Sequence, residues 1–318
     1  MNDPTKQPIN IDDQLAWLKD HKDETGSSWS QIAKRIDIPA GTLSAFGGGT
    51  YKGDNQRIAQ AIYRYRQLLA AQSAVAVEAP EVPGYFETPT SRQLTQLLTW
   101  AQRGRIVVAA MNAGLSKTST ANHYTACFPN VFKVTMAPST AGVNNMQIEV
   151  LEALGEPNAQ GTPQKLSKRI RDRIKDLRNP LIIIDEAQHL SEKAIEEIRS
   201  WHDATGCGIA LFGNIGVMQR LEGGSRKSAY AQIFSRVAMK VVRTQPLLGD
   251  ADALAEAWDV HDDAMIEQIR KVALMPGGLR GATMMLELAS MLAVAEQREI
   301  ANDHLQDAWT QLAGRRAA

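Results

Sequence analysis

The chain has 318 residues, 44% of them hydrophobic and 22% charged, an ordinary globular composition with room for about two domains and a smaller module. Thirty-five Lys and Arg balance 35 Asp and Glu, which excludes a uniformly basic, histone-like protein but leaves room for a local basic patch. Cys127 and Cys207 supply neither a disulfide framework nor a zinc pattern, and with no apolar run fit for a signal peptide or a membrane helix they predict a soluble cytoplasmic protein.

Residues 1–70 predict a small all-helical module. Leu15, Trp17 and Leu18 give one apolar stripe, and Trp29, Ile32, Ala33 and Ile36 give a second at helical spacing. The turn DIPAG and the short helix TLSAFGGG then complete a helix-turn-helix pattern, followed by a fourth helix from Asn55. Nine Lys or Arg against eight Asp or Glu make this module nearly neutral. Its late basic residues nevertheless point to DNA, with Thr42, Ser44 and Lys52 near a groove and Arg57 on a phosphate. A helical bundle that binds protein is the competing reading.

Residues 71–94 read as a linker, because small residues give way to Pro80, Pro83 and Pro89, which interrupt helix and strand alike. Across 95–245, β-rich runs at 105–111, 131–137, 181–185, 208–213 and 238–243 alternate with helical patterns. Continuous apolar strands between helices predict a parallel sheet covered on both faces. From 246 to 318 the strands stop, and four helical patterns predict an all-helical C-terminal subdomain.

The first strand runs into MNAGLSKTST and then a helical stretch. A strand, a tight turn and a helix opening on Lys117 and Thr118 suit a phosphate-binding loop, the lysine serving β/γ phosphates and the hydroxyl Mg²⁺. Gly114 fits the turn. Met111 and Ser116, however, stand where the usual pattern has glycines, which tolerate unusual backbone angles and close phosphate approach.

The third strand, in LIIIDEAQHL, delivers Asp185 at its carboxyl end with Glu186 next. Asp185 is placed to orient Mg²⁺, and Glu186 to polarise the attacking water. His189 reads as a local packing or capping residue. Asn214, closing the fourth strand, can position that water. Arg236, just before the fifth strand, can serve a γ-phosphate held by a neighbouring subunit, and Arg280, near a helix start in PGGLR, can fold over the nucleotide.

This ordered set resembles the AAA+ ATPases and, within them, the family of the phage Mu B transposition proteins. The resemblance spans nearly the whole chain, through GTLSAF, YKGDNQRIAQ, LIIIDEAQHL, the FGN strand end, the FSR stretch and PGGLR. It implies a parallel-sheet AAA+ P-loop ATPase core with a C-terminal helical subdomain and an N-terminal all-α helix-turn-helix module. It implies ATP and Mg²⁺ as cofactors. Gly114, Ser116, Lys117, Thr118 and Arg280 would be at the nucleotide, Thr118 and Asp185 at the metal, and Glu186, Asn214 and Arg236 in hydrolysis. It further implies filaments or rings on double-stranded DNA, delivery of that DNA to a transposase, and stimulated transposition.

Two further segments invite DNA. Residues 164–178 carry seven basic side chains, among them Lys168, Arg169 and Arg173, against two acids. The stretch 217–230 adds Arg220, Arg226 and Lys227 around two glycines. A solvated helix face and a plain surface loop are the alternatives. At the level of function, the rivals are a helix-turn-helix regulator or adaptor with an inactive nucleotide site, and a helicase loader.

Overall fold

Five apolar runs become five parallel strands. They are β1 (Ile106–Met111), β2 (Val131–Thr135), β3 (Leu181–Asp185), β4 (Gly208–Gly213) and β5 (Val237–Arg243), in the order β2-β3-β4-β1-β5. Every pairing is parallel. The computed structural model describes residues 9–78, 81–218 and 235–314. β1, β3 and β4 are buried along their whole length, and their uninterrupted aliphatic sequences follow from having helices on both faces.

Alternate strand residues feed two apolar layers. Val108, Ile182, Ile184 and Leu211 face α7 (Val143–Ala153), α8 (Pro163–Lys175) and α9 (Glu192–Thr205). Val107, Ile183, Ala210 and Phe212 face α5 (Pro89–Ala101) and α6 (Lys117–Cys127). Because β4 and β3 separate β1 from β2, the connection from β1 through α6 passes over two strands. The chain turns at the carboxyl ends of β1, β3 and β4 therefore converge on one rim, the usual ligand edge of an open parallel sheet.

After β5 come four helices, α10 (Leu248–Ala257), α11 (Asp263–Ala273), α12 (Gly278–Ala295) and α13 (Asn302–Gly314), packed on Leu254, Ile269, Met285, Leu286 and Leu305. Asp250 ties this bundle to the sheet domain. Fully buried, it accepts the Thr90 backbone N–H at 2.8 Å, the Thr90 hydroxyl at 2.5 Å and the Leu247 N–H at 2.8 Å. By length and composition alone, α12 is the one helix among the described residues fit to cross a membrane. Its Leu279, Ala282, Met285 and Leu286, however, pack into the bundle core.

The chain divides into two compact units, 1–80 and 81–318. In the first, α1 (Ile11–Thr25), α2 (Trp29–Ile36), α3 (Ala40–Gly47) and α4 (Asn55–Glu78) surround Leu18, Ile32, Leu43, Phe46 and Ile62. Ser28 and Gln31 form a capping box that starts α2, and Asp37, in the left-handed region at φ 60°, ends it. Gly47 lets the next helix close in, since a β-carbon there would stand 2.6 Å from the Trp29 ring. The predicted linker is shorter than its composition suggests. Helix α4 continues to Glu78, because AAQSAVAVE holds no proline and good helix formers. The helical pattern resumes at Pro89, in the first turn of α5 behind the Thr88–Ser91 capping box.

Candidate nucleotide-binding site

The loop after β1 is tight and strained at one residue. Gly114 has φ 74° and Ser116 has φ 58°, both left-handed. For serine this conformation costs roughly 1–2 kcal/mol, a penalty that glycine escapes. Met111, the other departure from a glycine pattern, is a fully buried strand residue opposite Arg243 and needs no unusual angle. Ser116→Gly should accordingly raise unfolding stability by about 1 kcal/mol in denaturant titrations while leaving nucleotide binding intact. A destabilised variant would show that the serine side chain contributes something the backbone angle does not reveal.

Lys117 opens α6 and is 8% exposed. Its ammonium donates to the carbonyls of Met111 and Asn112, both at 2.7 Å. Burial pulls its pKa below the ordinary lysine range; the charges of Glu186 and Asp185 oppose that pull, and Arg280 adds slightly to it. One residue on, the Thr118 hydroxyl donates to Asp185 Oδ2 at 2.8 Å, joining the loop to the end of β3.

Asp185 is 1% exposed, and its Oδ1 accepts the Glu186 N–H at 3.0 Å. Glu186 itself sits in the left-handed region at φ 56°. The Gln188 side-chain amide donates to Glu186 Oε2, while Gln188 Oε1 accepts the Asn214 N–H at 3.2 Å. Asn214 Oδ1 in turn accepts the Gly216 N–H at 2.9 Å. Gln188 thus links the acid after β3 to the end of β4, a role that its place in an acidic turn did not announce. Lys133 of β2 also went unforeseen. Its ammonium lies 3.6 Å from Asp185 Oδ2, with its side chain 16% exposed.

The C-terminal bundle closes over the loop. The Leu279 N–H donates to the Gly114 carbonyl at 2.9 Å, and a β-carbon on Gly114 would collide with the Gly277 carbonyl. Arg280 is exposed beside this contact. A cavity of about 490 Å³ opens between Asn112, Leu115, Thr244, Pro246 and Met275. Lys117, Thr118, Asp185, Glu186 and Asn214 share one rim of the sheet, and Arg280 approaches it from the bundle.

Arg236 lies elsewhere. It precedes β5, whose first residue pairs with the first residue of β1, so it occupies the amino rim. There its Nε donates to Asp203 Oδ1 at 2.8 Å. On α8, Lys165, Lys168, Arg169, Arg173 and Lys175 are all exposed, and Arg169 is engaged with Glu156 at 2.5 Å. In the N-terminal unit Thr42 is half-buried, and Ser44, Lys52 and Arg57 are exposed. Arg220, Arg226 and Lys227 lie outside the described residues.

Comparison with known proteins covers both units. Residues 91–221 match the model of an AAA domain, and residues 235–312 that of the Mu B transposition protein, C terminal. The chain is 33% identical over 305 residues to the ATP-dependent target DNA activator B of Escherichia phage Mu, covering 96% of each chain. It is 32% identical over 266 residues to the Mu-like prophage FluMu DNA transposition protein B of Haemophilus influenzae, covering 83% of this chain and 91% of the relative. Among solved structures, the Aeropyrum pernix Orc1 protein in complex with DNA superposes with a TM-score of 0.53 at 17% identity. That match covers 74% of this chain and 68% of the other, and it speaks to the fold alone.

Proposed function

The chain belongs to the Mu B family of transposition proteins, and from that footing we propose that it is an ATP-dependent DNA-binding ATPase that assembles on target DNA, delivers it to a transposase and stimulates transposition. The observation that carries the nucleotide part is the Thr118–Asp185 hydrogen bond at 2.8 Å, beside the buried Lys117 ammonium. It brings a hydroxyl, a carboxylate and a lysine to one rim, the donor set that magnesium and a triphosphate require.

Each side chain then has a task. Lys117 exchanges its two carbonyl partners for β/γ phosphate oxygens. Thr118 and Asp185 would hold Mg²⁺, which when bound supplies charge compensation for the triphosphate. Glu186, released from Gln188, accepts the proton of the attacking water on a carboxylate oxygen, and Asn214 orients that water. Arg280 reports through the bundle whether the rim is filled, since its neighbour Leu279 is bonded to the phosphate loop. Arg236, on the amino rim, serves a neighbouring subunit in a head-to-tail array. DNA phosphates meet the exposed cations of α8, Lys165, Lys168, Arg173 and Lys175, and the N-terminal helix-turn-helix, and the protein works in the cytoplasm of the cell that holds the target DNA.

Electron microscopy of the purified protein with double-stranded DNA, with and without ATP, tests this reading. Filaments or rings that need ATP are expected. Discrete, sequence-specific complexes indifferent to ATP would instead favour a helix-turn-helix regulator.

A further inference from the structure

Asp185 is almost fully buried, and a carboxylate so placed needs a compensating charge. Lys117 is the expected partner, yet its ammonium is directed at two backbone carbonyls. Among the described residues, the cation within ion-pair distance of Asp185 is Lys133. On β2 it shares a face with Thr135, two residues on, and Thr135 stands directly opposite Asp185 in the sheet. The Lys133 stem runs along the strand toward the carboxyl rim. Its Nζ ends 3.1 Å from Thr135 Oγ1 and 3.6 Å from Asp185 Oδ2. That Oδ2 is the same oxygen that takes the Thr118 hydroxyl.

We propose that Lys133 is a resident counter-cation that denies Asp185 a divalent metal until a nucleotide arrives with one. The inference rests on the nucleotide reading above and adds to it a control on metal entry. A divalent ion at Oδ2 would stand a few ångströms from a largely buried ammonium. At such a separation, inside protein, repulsion between a single and a double positive charge is strong enough to weaken binding at least about tenfold. Bound phosphates reverse the balance, since their negative charge compensates both cations at once. The empty protein therefore keeps an intact, neutralised acid and takes its metal as a complex with the triphosphate. Lys133 acts through Asp185; it is a positioning residue, and binding measured without turnover reports on it.

Manganese titration of the nucleotide-free protein by electron paramagnetic resonance provides the measurement. Lys133→Met should bind Mn²⁺ at least about tenfold more tightly than wild type. Lys133→Gln, which keeps a donor for Thr135, should show the same gain if the methionine variant folds poorly. Lys133→Arg should behave as wild type, and adding Asp185→Asn to Lys133→Met should abolish the gain. Equal Mn²⁺ affinity in wild type and both neutral variants would overturn the proposal. A fluorescent ADP titrated with magnesium, and again in EDTA, separates the two levels of inference. Its failure to bind any of these proteins would remove the nucleotide reading, whereas normal binding with unchanged Mn²⁺ affinity would remove only the role of Lys133.

Discussion

Lys117→Ala should lower ATP affinity at least about a hundredfold, since a charge-assisted contact made from a dry site is worth roughly 3 kcal/mol or more. The ammonium is largely buried, with two carbonyls as its hydrogen-bond partners and the charges of Glu186 and Asp185 offsetting only part of the burial penalty. Phosphate oxygens are better partners, so nucleotide binding relieves a charge that the fold holds at a cost. Isothermal titration with ATP reads the loss directly, and co-sedimentation with DNA should lose its ATP dependence in parallel. The pH profile gives a second signature. Burial lowers the Lys117 pKa, so the empty fold binds this proton less readily than the unfolded chain, and its contribution to stability improves as pH rises through the lowered value toward the ordinary lysine range. ATP requires the charged form. Affinity should therefore be full below the lowered value and decline above it, a limb that Lys117→Ala lacks. Wild-type affinity in the variant would place the phosphates elsewhere.

What could be foreseen from the sequence follows from how each feature is encoded. β3 and β4 were legible because strands buried on both faces have no polar alternation, and their ends are marked by Asp185 and Asn214. The loop between Met111 and Thr118 was legible through its order of residue types, though which departure from glycine carries strain needed the backbone angles. Lys133 was hidden because a lysine in an alternating edge strand reads as a solvent-facing residue. Only the register with β3 brings it to Asp185. Gln188 was hidden for a similar reason, since its two partners lie two residues before it and 26 after. Thr90 and Asp250 are 160 positions apart, and nothing local marks them as a pair. Even Arg169, counted in a basic run, spends its charge on Glu156 from the preceding connection.

Glu186→Gln and Arg236→Ala should each bind ATP nearly as wild type does, yet each should lose turnover by at least about a hundredfold. For Glu186 the reason is local. The amide preserves shape but cannot take a proton from water, so DNA-bound assemblies should persist longer. For Arg236 the reason is distance. Its guanidinium sits on the amino rim, held by the half-exposed Asp203, while Lys117 is on the carboxyl rim of the same sheet. A solvent-screened pair of this kind is weak enough to exchange for a phosphate of another subunit. Turnover per wild-type subunit should consequently rise with protein concentration and with DNA long enough to seat several copies. Mixing the two variants is decisive, because each carries what the other lacks. Where an intact Glu186 of the arginine variant faces an intact Arg236 of the glutamine variant, a complete site re-forms. In a randomly mixed, equimolar head-to-tail array this holds at about a quarter of the interfaces, so about that share of wild-type activity should return. Arginine acting on its own subunit would leave every mixture inactive and the wild-type rate per subunit indifferent to dilution.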